Sequence, residues 1–421
     1  MVERKTLFLI VLALIVKGFL ALITPRSFDF INIAYMGSFE AFRLPALTPY
    51  FFTALLMNLF FRFWLLMPIS HPPVGSFLRY DFFAGTFEAF IYMGIMKLPM
   101  LIFDGLTGLI VYKIVKFNAS RNEALTAAWL WFFNPYLTVA IEMDGTIDVV
   151  SVFFAIFSLY LFIKEKFWLS GVLLAVGTIA RFWPLALIPF HLIIFINEKS
   201  WRKLMVFLLS FLLTILIFLW PLALIKGLKV FQEFYEMLIS YAAQHEFKWF
   251  LGFNISGLDK ISMGLVSLIY FAQAFLTFKF WRKNVKASLD YAFLILLAFT
   301  AFAYWNRYYT IWVTPLAIID YALNKNKYEK LNYRVLFILF WVGLSLFNFS
   351  LWWIPPLFFI YPYAKWLLSL DAIVKAFGAQ ESSSLLISTF GRSILAGSAL
   401  IYFLKVNFRS VRLNKVIDAS A

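Results

Sequence analysis

Long apolar runs follow one another along the chain and are separated by short polar connectors. A helix needs about 20 apolar residues to cross the hydrocarbon core of a bilayer, and runs of that length recur throughout. The pattern predicts spans near residues 6–23, 89–112, 124–141, 146–163, 204–225, 257–279, 287–304, 308–324, 333–351 and 385–405. We therefore expect an all-α, polytopic integral membrane protein with about 11–13 transmembrane or re-entrant helices.

Two further apolar stretches do not fit a simple span. Residues 50–67 carry Arg62 and lie between prolines, so we expect a helix that lies along the outer membrane surface. Residues 168–197 are interrupted by Arg181 and Pro184 in the segment ARFWPLALIP. Because proline removes a backbone hydrogen bond, and polar backbone inside a bilayer must be covered by protein, we predict a bent or re-entrant pair of short helices there.

The amino-acid composition supports a membrane protein. Of the 421 residues, 63% are hydrophobic and 14% are charged, whereas soluble domains average about 45–50% and about 25%. A soluble protein of this size cannot bury so much apolar surface, so soluble enzymes, disordered proteins and nucleic-acid-binding domains are excluded. The chain contains no cysteine, which excludes disulfides and thiol nucleophiles, and its three histidines are far apart, which argues against a His-rich metal centre.

Basic residues are distributed unevenly between the connectors. The short connectors hold 22 Lys and Arg in 54 positions, whereas the long connectors 24–86, 226–258 and 352–383 hold 9 in 128. Because cytoplasmic connectors are enriched in Lys and Arg, we expect a cell-membrane protein with both termini in the cytoplasm and the long connectors outside. The net charge of +15 then reflects topology and contact with anionic membrane lipids, not nucleic acid. We expect one integral-membrane domain over residues 1–421, with a large outer loop at 24–88 that carries interfacial helices and with no soluble C-terminal domain.

Asp29, in TPRSFDFINIAY, directly follows the first predicted helix on the outer side. In one interpretation it is a helix N-cap or a solvated loop acid. In the other it is a general base at the membrane surface, where the head group of a lipid-borne substrate emerges. Partial burial beside Phe28 and Phe30 would make its carboxylate a stronger base. The residues alone leave both interpretations open.

A second group of acids lies in FNPYLTVAIEMDGTID, between two predicted spans on the outer side. Glu142, Asp144 and Asp148 fall within seven residues, which we call the acidic turn (residues 142–148). They could bind a divalent cation or position sugar hydroxyls, or they could form a polar turn that keeps a short hairpin in water. Asp104 lies in the middle of a span, and we expect a structural role for it, paired with Lys97 or with a facing polar group.

Cationic and aromatic residues supply the remaining candidates. Arg307, in AYWNRYYTIWVTP, could bind a phosphate in a bidentate way, or could extend to the interface as arginines near helix ends do. Arg181 lies inside the broken helix pair and calls for an anionic substrate or a buried acidic partner. His245, in SYAAQHEFKWFLGFN, could contact a sugar together with Glu246 and Trp249, although a loop on a membrane surface is also rich in tryptophan.

Taken in order, these features resemble the GT-C glycosyltransferases, polytopic enzymes that use polyprenyl-phosphate-linked sugars, and among them the mannosyltransferases of GPI-anchor assembly and their prokaryotic relatives. The resemblance extends over roughly residues 10–320. It is carried by the acid after helix 1, KLPMLIFDGLTGLIVYKI, WFFNPYLTVAIEMDGTID, GVLLAVGTIARFWPLALIP and WNRYYTIWVTPL. The chain has no WWDYG-like segment, which disfavours an oligosaccharyltransferase.

The resemblance implies inverting transfer of a hexose, with mannose expected, from a polyprenyl or dolichyl phosphate to a lipid-linked or other membrane-proximal acceptor on the outer face. It places the catalytic base at Asp29 and donor-phosphate binding at Arg307 and Arg181. The other candidates would contact sugar, acceptor or metal: Glu142, Asp144, Asp148 and His245. No particular cofactor is implied, and a divalent cation could bind; the lone acid of the first outer loop does not favour metal there. A small accessory subunit could assist.

A transporter or flippase for lipid-linked saccharides is the alternative from another class. Transporters commonly contain inverted repeats with paired broken helices. This sequence has one broken region and a first outer loop without a counterpart in the second half, which favours the enzyme. A non-catalytic scaffold subunit is a third hypothesis, and it predicts that Asp29 is dispensable.

Overall fold

The computed structural model describes residues 2–23, 51–69, 71, 87–143, 145–227, 229–233, 235–236, 259–279, 285–302, 307–324, 327, 329–348 and 390–407. The secondary structure within these ranges is helical, without β-strands. The main helices are α1 (Val2–Ile23), α2 (Phe51–Leu65), α3 (Phe87–Asn118), α4 (Arg121–Phe132), α5 (Asp148–Ile163), α6 (Phe167–Ala180), α7 (Ile188–Asn197), α8 (Trp201–Lys226), α9 (Asp259–Lys279), α10 (Val285–Phe302), α11 (Thr314–Leu323), α12 (Leu331–Asn348) and α13 (390–407).

Helix α3 runs through the middle of the bundle. It contacts α1, α2, α4, α5 and α11. Its 32 residues span about 48 Å at about 1.5 Å per residue, which exceeds the roughly 30 Å hydrocarbon core of a bilayer. Helix α5 packs beside it and against α6, and most of its side chains are buried. These two helices therefore form the frame on which the charged residues described below are held.

Three described segments are long and apolar enough to cross a bilayer: Gly94–Asn118, Arg121–Met143 and Trp201–Pro221. The exposed surface of α8 is made of large apolar side chains, such as Leu213 and Ile217, of which Ile217 is 68% exposed. Such a surface is unfavourable in water by about 25 cal/mol per Å², whereas lipid tails solvate it. The prediction of an all-α polytopic membrane protein is confirmed.

The region 168–197 is broken where the sequence indicates. Helix α6 ends before Arg181, whose backbone is extended (φ −162°, ψ 141°), and a 3₁₀-helix at Trp183–Leu187 leads into α7. Pro184 stands in the first turn of this 3₁₀-helix, where its missing N–H leaves no carbonyl unpaired. The predicted bent pair of short helices is confirmed.

The predicted span at 308–324 is not one continuous α-helix. The segment begins as a 3₁₀-helix, Arg307–Trp312, and α-helix α11 starts only at Thr314. Pro315 explains the change, because it cannot donate a hydrogen bond to the carbonyl of Ile311. The sequence is apolar on both sides of this point, so the spacing of its apolar residues does not distinguish the 3₁₀-helix from the α-helix.

Helix α2 corresponds to the stretch at 50–67 that we expected on the membrane surface. It packs against α3 and α6, and the Thr53 hydroxyl donates to the Ala180 carbonyl over 3.1 Å. Its opposite face is apolar and exposed, including Leu55, Leu59 and Phe63. Its predicted position along the outer surface stays a prediction.

Small and hydroxylated residues allow α5, α6 and α8 to pack closely. A Cβ added at Gly171 would lie 2.4 Å from the Phe207 carbonyl oxygen, so only glycine fits between α6 and α8. Across α5 and α6, the hydroxyl of Ser158 donates to the carbonyl of Ser170 over 2.8 Å, and the hydroxyl of Ser170 donates to the carbonyl of Ser158 over 2.9 Å. Such contacts replace the hydrophobic effect, which does not drive helices together inside a membrane.

Candidate active site

The acidic turn follows a break in the predicted span at 124–141. Helix α4 ends at Phe132, and Asn134 caps a short helical turn at Pro135–Leu137 by accepting hydrogen bonds from two backbone amides. Six residues then form a π-helix, Thr138–Met143. Pro135 explains the restart, since it cannot continue α4, and π-helices are frequently found at functional sites.

The described residues of the acidic turn lie inside the bundle. Glu142 and Asp148 are each 1% exposed, and Thr146 and Ile147 are also buried. Gly145 adopts φ +72°, and the Thr146 amide donates to the Ala140 carbonyl over 3.1 Å, which closes the turn. These residues do not form the water-exposed hairpin turn that the sequence left as an alternative.

Lys97 holds the end of the π-helix. Its Nζ donates to the carbonyl oxygens of Glu142 and Met143 over 2.9 Å and 2.7 Å. The last carbonyls of a helix have no partner within it, and a cation there is also favoured by the helix dipole. Lys97 is 1% exposed. Helix α3 is therefore joined to the backbone of the acidic turn by the Lys97 side chain.

Lys17 joins α1 to two buried acids. Its Nζ lies 2.8 Å from Asp104 Oδ2 and 3.5 Å from Glu142 Oε1, and all three side chains are buried. Trp131 donates from Nε1 to Asp104 Oδ1 over 2.9 Å. Of the two partners expected for Asp104, the structure has the facing polar group, Lys17 on α1, and not Lys97. Spacing within one helix suggested Lys97, whereas the packing of α1 on α3 brings Lys17 to the carboxylate.

Lys17, Asp104 and Glu142 form one buried cluster of ionisable residues. Lys17 is the cation of this cluster and lies within 3.5 Å of both carboxylates. Charges inside a membrane protein are costly unless they are partnered, and a buried charge that loses its partner destabilises a protein strongly. The arrangement therefore stabilises the fold only while all its members are present.

Arg181 is paired with a buried acid, Asp148, which is one of the two partners expected from its position inside the broken helix pair. Its Nε donates to Asp148 Oδ1 over 2.5 Å, and the Thr146 hydroxyl donates to Asp148 Oδ2 over 3.5 Å. Beside this pair, Trp183 donates from its indole to Ser151 and stacks on Trp312 with ring centroids 5.4 Å apart. The end of α6 and the start of α5 are thus joined at the acidic turn.

The 3₁₀-helix that begins with Arg307 lies next to the same region. It contacts α5 and α12, and the hydroxyls of Thr310 and Tyr136 form a hydrogen bond. Trp312 reaches the Arg181 region through its stacking on Trp183. The backbone of the predicted phosphate-binding segment is therefore brought close to the helical turn that leads into the acidic turn.

The predicted site residues differ in how much the structure says about them. Glu142, Asp148 and Arg181 are brought to the acidic turn and its surroundings, and their roles toward a substrate stay predictions. The backbone of Arg307 begins the 3₁₀-helix described above. The remaining predicted residues lie outside the described residues: Asp29, Asp144 and His245.

Sequence reasoning did not single out Lys17. A lysine inside an apolar run is an available signal, because ionisable residues in a membrane span need a partner or a function. Lys97 was considered only as a partner of Asp104. It also donates to two backbone carbonyls, which no pattern of side chains reveals.

The described part of the chain contains no group of three or more His, Asp or Glu side chains close enough to hold a metal ion. Within the acidic turn, Glu142 faces Lys17 and Asp148 faces Arg181. Both carboxylates therefore have cationic protein partners. The prediction of a divalent cation also involves Asp144, so it stays a prediction.

A cleft of about 710 Å³ lies between α4 and α12. Its walls are largely apolar and aromatic, including Trp129, Phe133, Phe337 and Trp341. One end is formed by Asn134 and Pro135, which begin the short helical turn. Helix α12 contacts this turn and also contacts the 3₁₀-helix beginning at Arg307. The cleft does not include the acidic turn, but it ends at the segment that leads into it.

The helical bundle and its buried charged turn define a multi-pass membrane protein that holds polar groups in its interior. Residues 82–314, more than half of the chain, match the sequence model of glycosyltransferase family 87. The chain therefore belongs to this GT-C-type family of glycosyltransferases. The resemblance to the GT-C glycosyltransferases is thereby confirmed.

One curated relative is GPI mannosyltransferase 1 of Saccharomyces cerevisiae. The two chains are 29% identical over 105 residues, which is 25% of this chain and 26% of the yeast protein. The matched part thus spans about a quarter of the length of this relative.

Proposed function

We propose that this glycosyltransferase transfers a hexose, specifically mannose, from a polyprenyl or dolichyl phosphate to a lipid-linked or other membrane-proximal acceptor. The observation that carries the proposal is the location of the buried acidic turn. It lies within residues 82–314, which match family 87, and Arg181 and two lysines contact it. The yeast relative, whose name describes a mannosyltransferase, supports mannose as the sugar.

In the proposed reaction Asp29 accepts the proton of the acceptor hydroxyl. The oxygen attacks the anomeric carbon from the face opposite the phosphate, the bond from that carbon to the phosphate oxygen breaks, and polyprenyl phosphate leaves. The transfer therefore inverts the anomeric configuration. A carboxylate suits the role of base because proton removal is needed as the new bond forms.

We assign the phosphate of the donor to Arg307 and Arg181. Arginine binds phosphate in a bidentate way and stays charged at every relevant pH. Negative charge accumulates on the phosphate as it leaves, so fixed cations nearby stabilise the transition state. The contact of the Arg307 segment with α5, and the stacking of Trp312 on Trp183, support a common phosphate region for both arginines.

The cleft between α4 and α12 is suited to the lipid tail of the donor. Its apolar and aromatic walls match an isoprenoid chain, and α12, which forms one wall, also contacts the segment beginning at Arg307. A phosphate at Arg307 and a tail in the cleft would thus belong to one extended molecule. We further propose that both termini are cytoplasmic, that the active site opens on the outer face, and that a small accessory subunit can associate.

Purified protein in lipid nanodiscs tests the proposal directly. It is incubated with labelled dolichyl-phosphate mannose and an extract of membrane lipids, and the products are separated by thin-layer chromatography. We expect a labelled product that depends on the enzyme and on the lipid-linked donor, with less transfer from dolichyl-phosphate glucose. Transfer from a nucleotide sugar alone, or no transfer from either lipid-linked sugar, would overturn the proposed donor. Movement of the labelled donor between leaflets without product would instead favour a flippase.

A further inference from the structure

The side chain of Lys97 contacts the backbone of the acidic turn. The ammonium group bridges the carbonyl oxygens of Glu142 and Met143, the last two residues of the π-helix, at 2.9 Å and 2.7 Å. A lysine ammonium is a compact charge on a flexible stem, so it can reach two acceptors at once. The contact therefore acts on the position of the main chain.

The far end of the turn is held by a different contact. Asp148, the first residue of α5, is paired with Arg181. Between the two contacts the chain passes through Gly145 at φ +72°, and the Thr146 N–H closes the turn by donating a hydrogen bond to the Ala140 carbonyl. The turn is thus held from α3 at one end and from the end of α6 at the other.

We propose that Lys97 is a positioning residue: it fixes the backbone of the acidic turn in the geometry needed for sugar transfer. The step from turn position to catalysis rests on the proposed function, while the effect on the turn itself does not. A misplacement of about 1 Å can lower the rate of an enzyme about 10²-fold. Losing one of the two contacts is therefore expected to lower turnover more than donor binding.

The first measurement needs no substrate. The chain contains no cysteine, so a single Thr146→Cys variant reports on the buried turn through its rate of reaction with a small thiol reagent. Adding Lys97→Met, which keeps the length of the side chain and removes the ammonium, should raise that rate at least about tenfold. A second reporter, Thr277→Cys, is buried in α9, whose main contacts are with α7 and α10, and its rate should stay within about twofold.

Matched controls separate positioning from general loss of stability. Ser158→Ala removes a buried hydrogen bond between α5 and α6, and Gly171→Ala forces α6 away from α8. Both variants should lower Tm, as Lys97→Met should, but neither changes a residue of the acidic turn. Neither should accelerate labelling at Thr146→Cys more than at Thr277→Cys.

The second measurement is steady-state kinetics with dolichyl-phosphate mannose as the probe. Lys97→Met should lower kcat by about 10–10² while the KM for the donor changes less than about threefold. The two stability controls should retain kcat at temperatures below their Tm. If Lys97→Met does not yield folded protein, Lys97→Gln is used in its place. The glutamine amide can still donate a hydrogen bond, so this variant should change the labelling rate and kcat in the same direction but by less.

Two results would overturn the proposal. One is an unchanged labelling rate at Thr146→Cys in the Lys97 variants. The other is an equal rise at both reporters, as general loosening would give. If the turn loosens selectively but no lipid-linked sugar is transferred even by the unmodified chain, the proposed function fails and the positioning effect on the turn stands.

Discussion

Arg181 and Asp148 form a buried ion pair, with Nε 2.5 Å from Oδ1, that joins the end of α6 to the start of α5. The two residues are 33 positions apart in the chain. Both are more than nine-tenths buried, so neither charge can be rehydrated without local opening. The pair therefore links the break in the helix at Arg181 directly to the acidic turn.

Breaking this pair from one side should be more harmful than removing it altogether. Arg181→Met leaves the carboxylate of Asp148 buried without its partner, and such losses cost about 3–5 kcal/mol of folding free energy. Arg181→Met combined with Asp148→Asn should recover a substantial part of the lost Tm in detergent. If the two substitutions are simply additive, the residues do not interact as the geometry indicates.

The cluster around Lys17 should respond in the same way. Lys17→Met leaves Asp104 and Glu142 facing each other without a cation, so we expect a large fall in Tm and in the yield of folded protein. The triple variant Lys17→Met, Asp104→Asn, Glu142→Gln contains no buried charge of this group and should fold better than Lys17→Met alone. Thermal unfolding followed by fluorescence checks both. A triple variant less stable than the single variant would contradict this account.

The role of Asp29 is tested by Asp29→Asn, which keeps size and polarity. Positioned general bases contribute about 10²–10⁴-fold to rate, so turnover should fall by that factor. Donor affinity should change little, because the interaction forms chiefly as the proton leaves.

Three acids of the acidic turn serve as controls for Asp29: Glu142, Asp144 and Asp148. Normal turnover in Asp29→Asn beside an inactive Asp144→Asn or Asp148→Asn would move the base to the acidic turn. Full activity in all four amide variants would exclude base catalysis by any of these carboxylates.

Arg307 is predicted to hold the phosphate of the donor. Arg307→Lys keeps the charge but loses the planar pair of donors, so the KM for dolichyl-phosphate mannose should rise about 10-fold or more while Tm stays near that of the unmodified protein. Arg307→Ala should raise it further. An unchanged dependence on donor concentration in both variants would show that Arg307 only extends toward the interface.

The orientation in the membrane can be measured with introduced cysteines, since the chain has none of its own. A membrane-impermeant thiol reagent applied to intact cells should label Ser70→Cys and Ser382→Cys but not Ser200→Cys. The excess of Lys and Arg in the short connectors is the physical reason. The reverse pattern would place the long connectors, and with them Asp29, in the cytoplasm.

The positions of the helix breaks were largely available from the sequence. Pro184 and Arg181 predicted the bend between α6 and α7, and the structure has it there. The start of α11 at Thr314 was missed, because Pro315 stands within a run whose hydrophobicity does not change. The π-helix before the acidic turn was likewise not predicted, since its side chains are as apolar as those of an α-helix.

The sequence by itself determined that this protein is a helical membrane protein, since apolar runs of spanning length and few charges leave a bilayer as the only solvent for most of its surface. It also indicated which charged residues stand inside that apolar setting. Only the tertiary structure decided how they pair: Lys17 with Asp104 across 87 positions, and Lys97 with the carbonyls that end the π-helix. A buried charge must find a partner, but the partner is the group that helix packing brings within about 3 Å, and packing depends on side-chain shapes along whole helices that a hydrophobic pattern does not record.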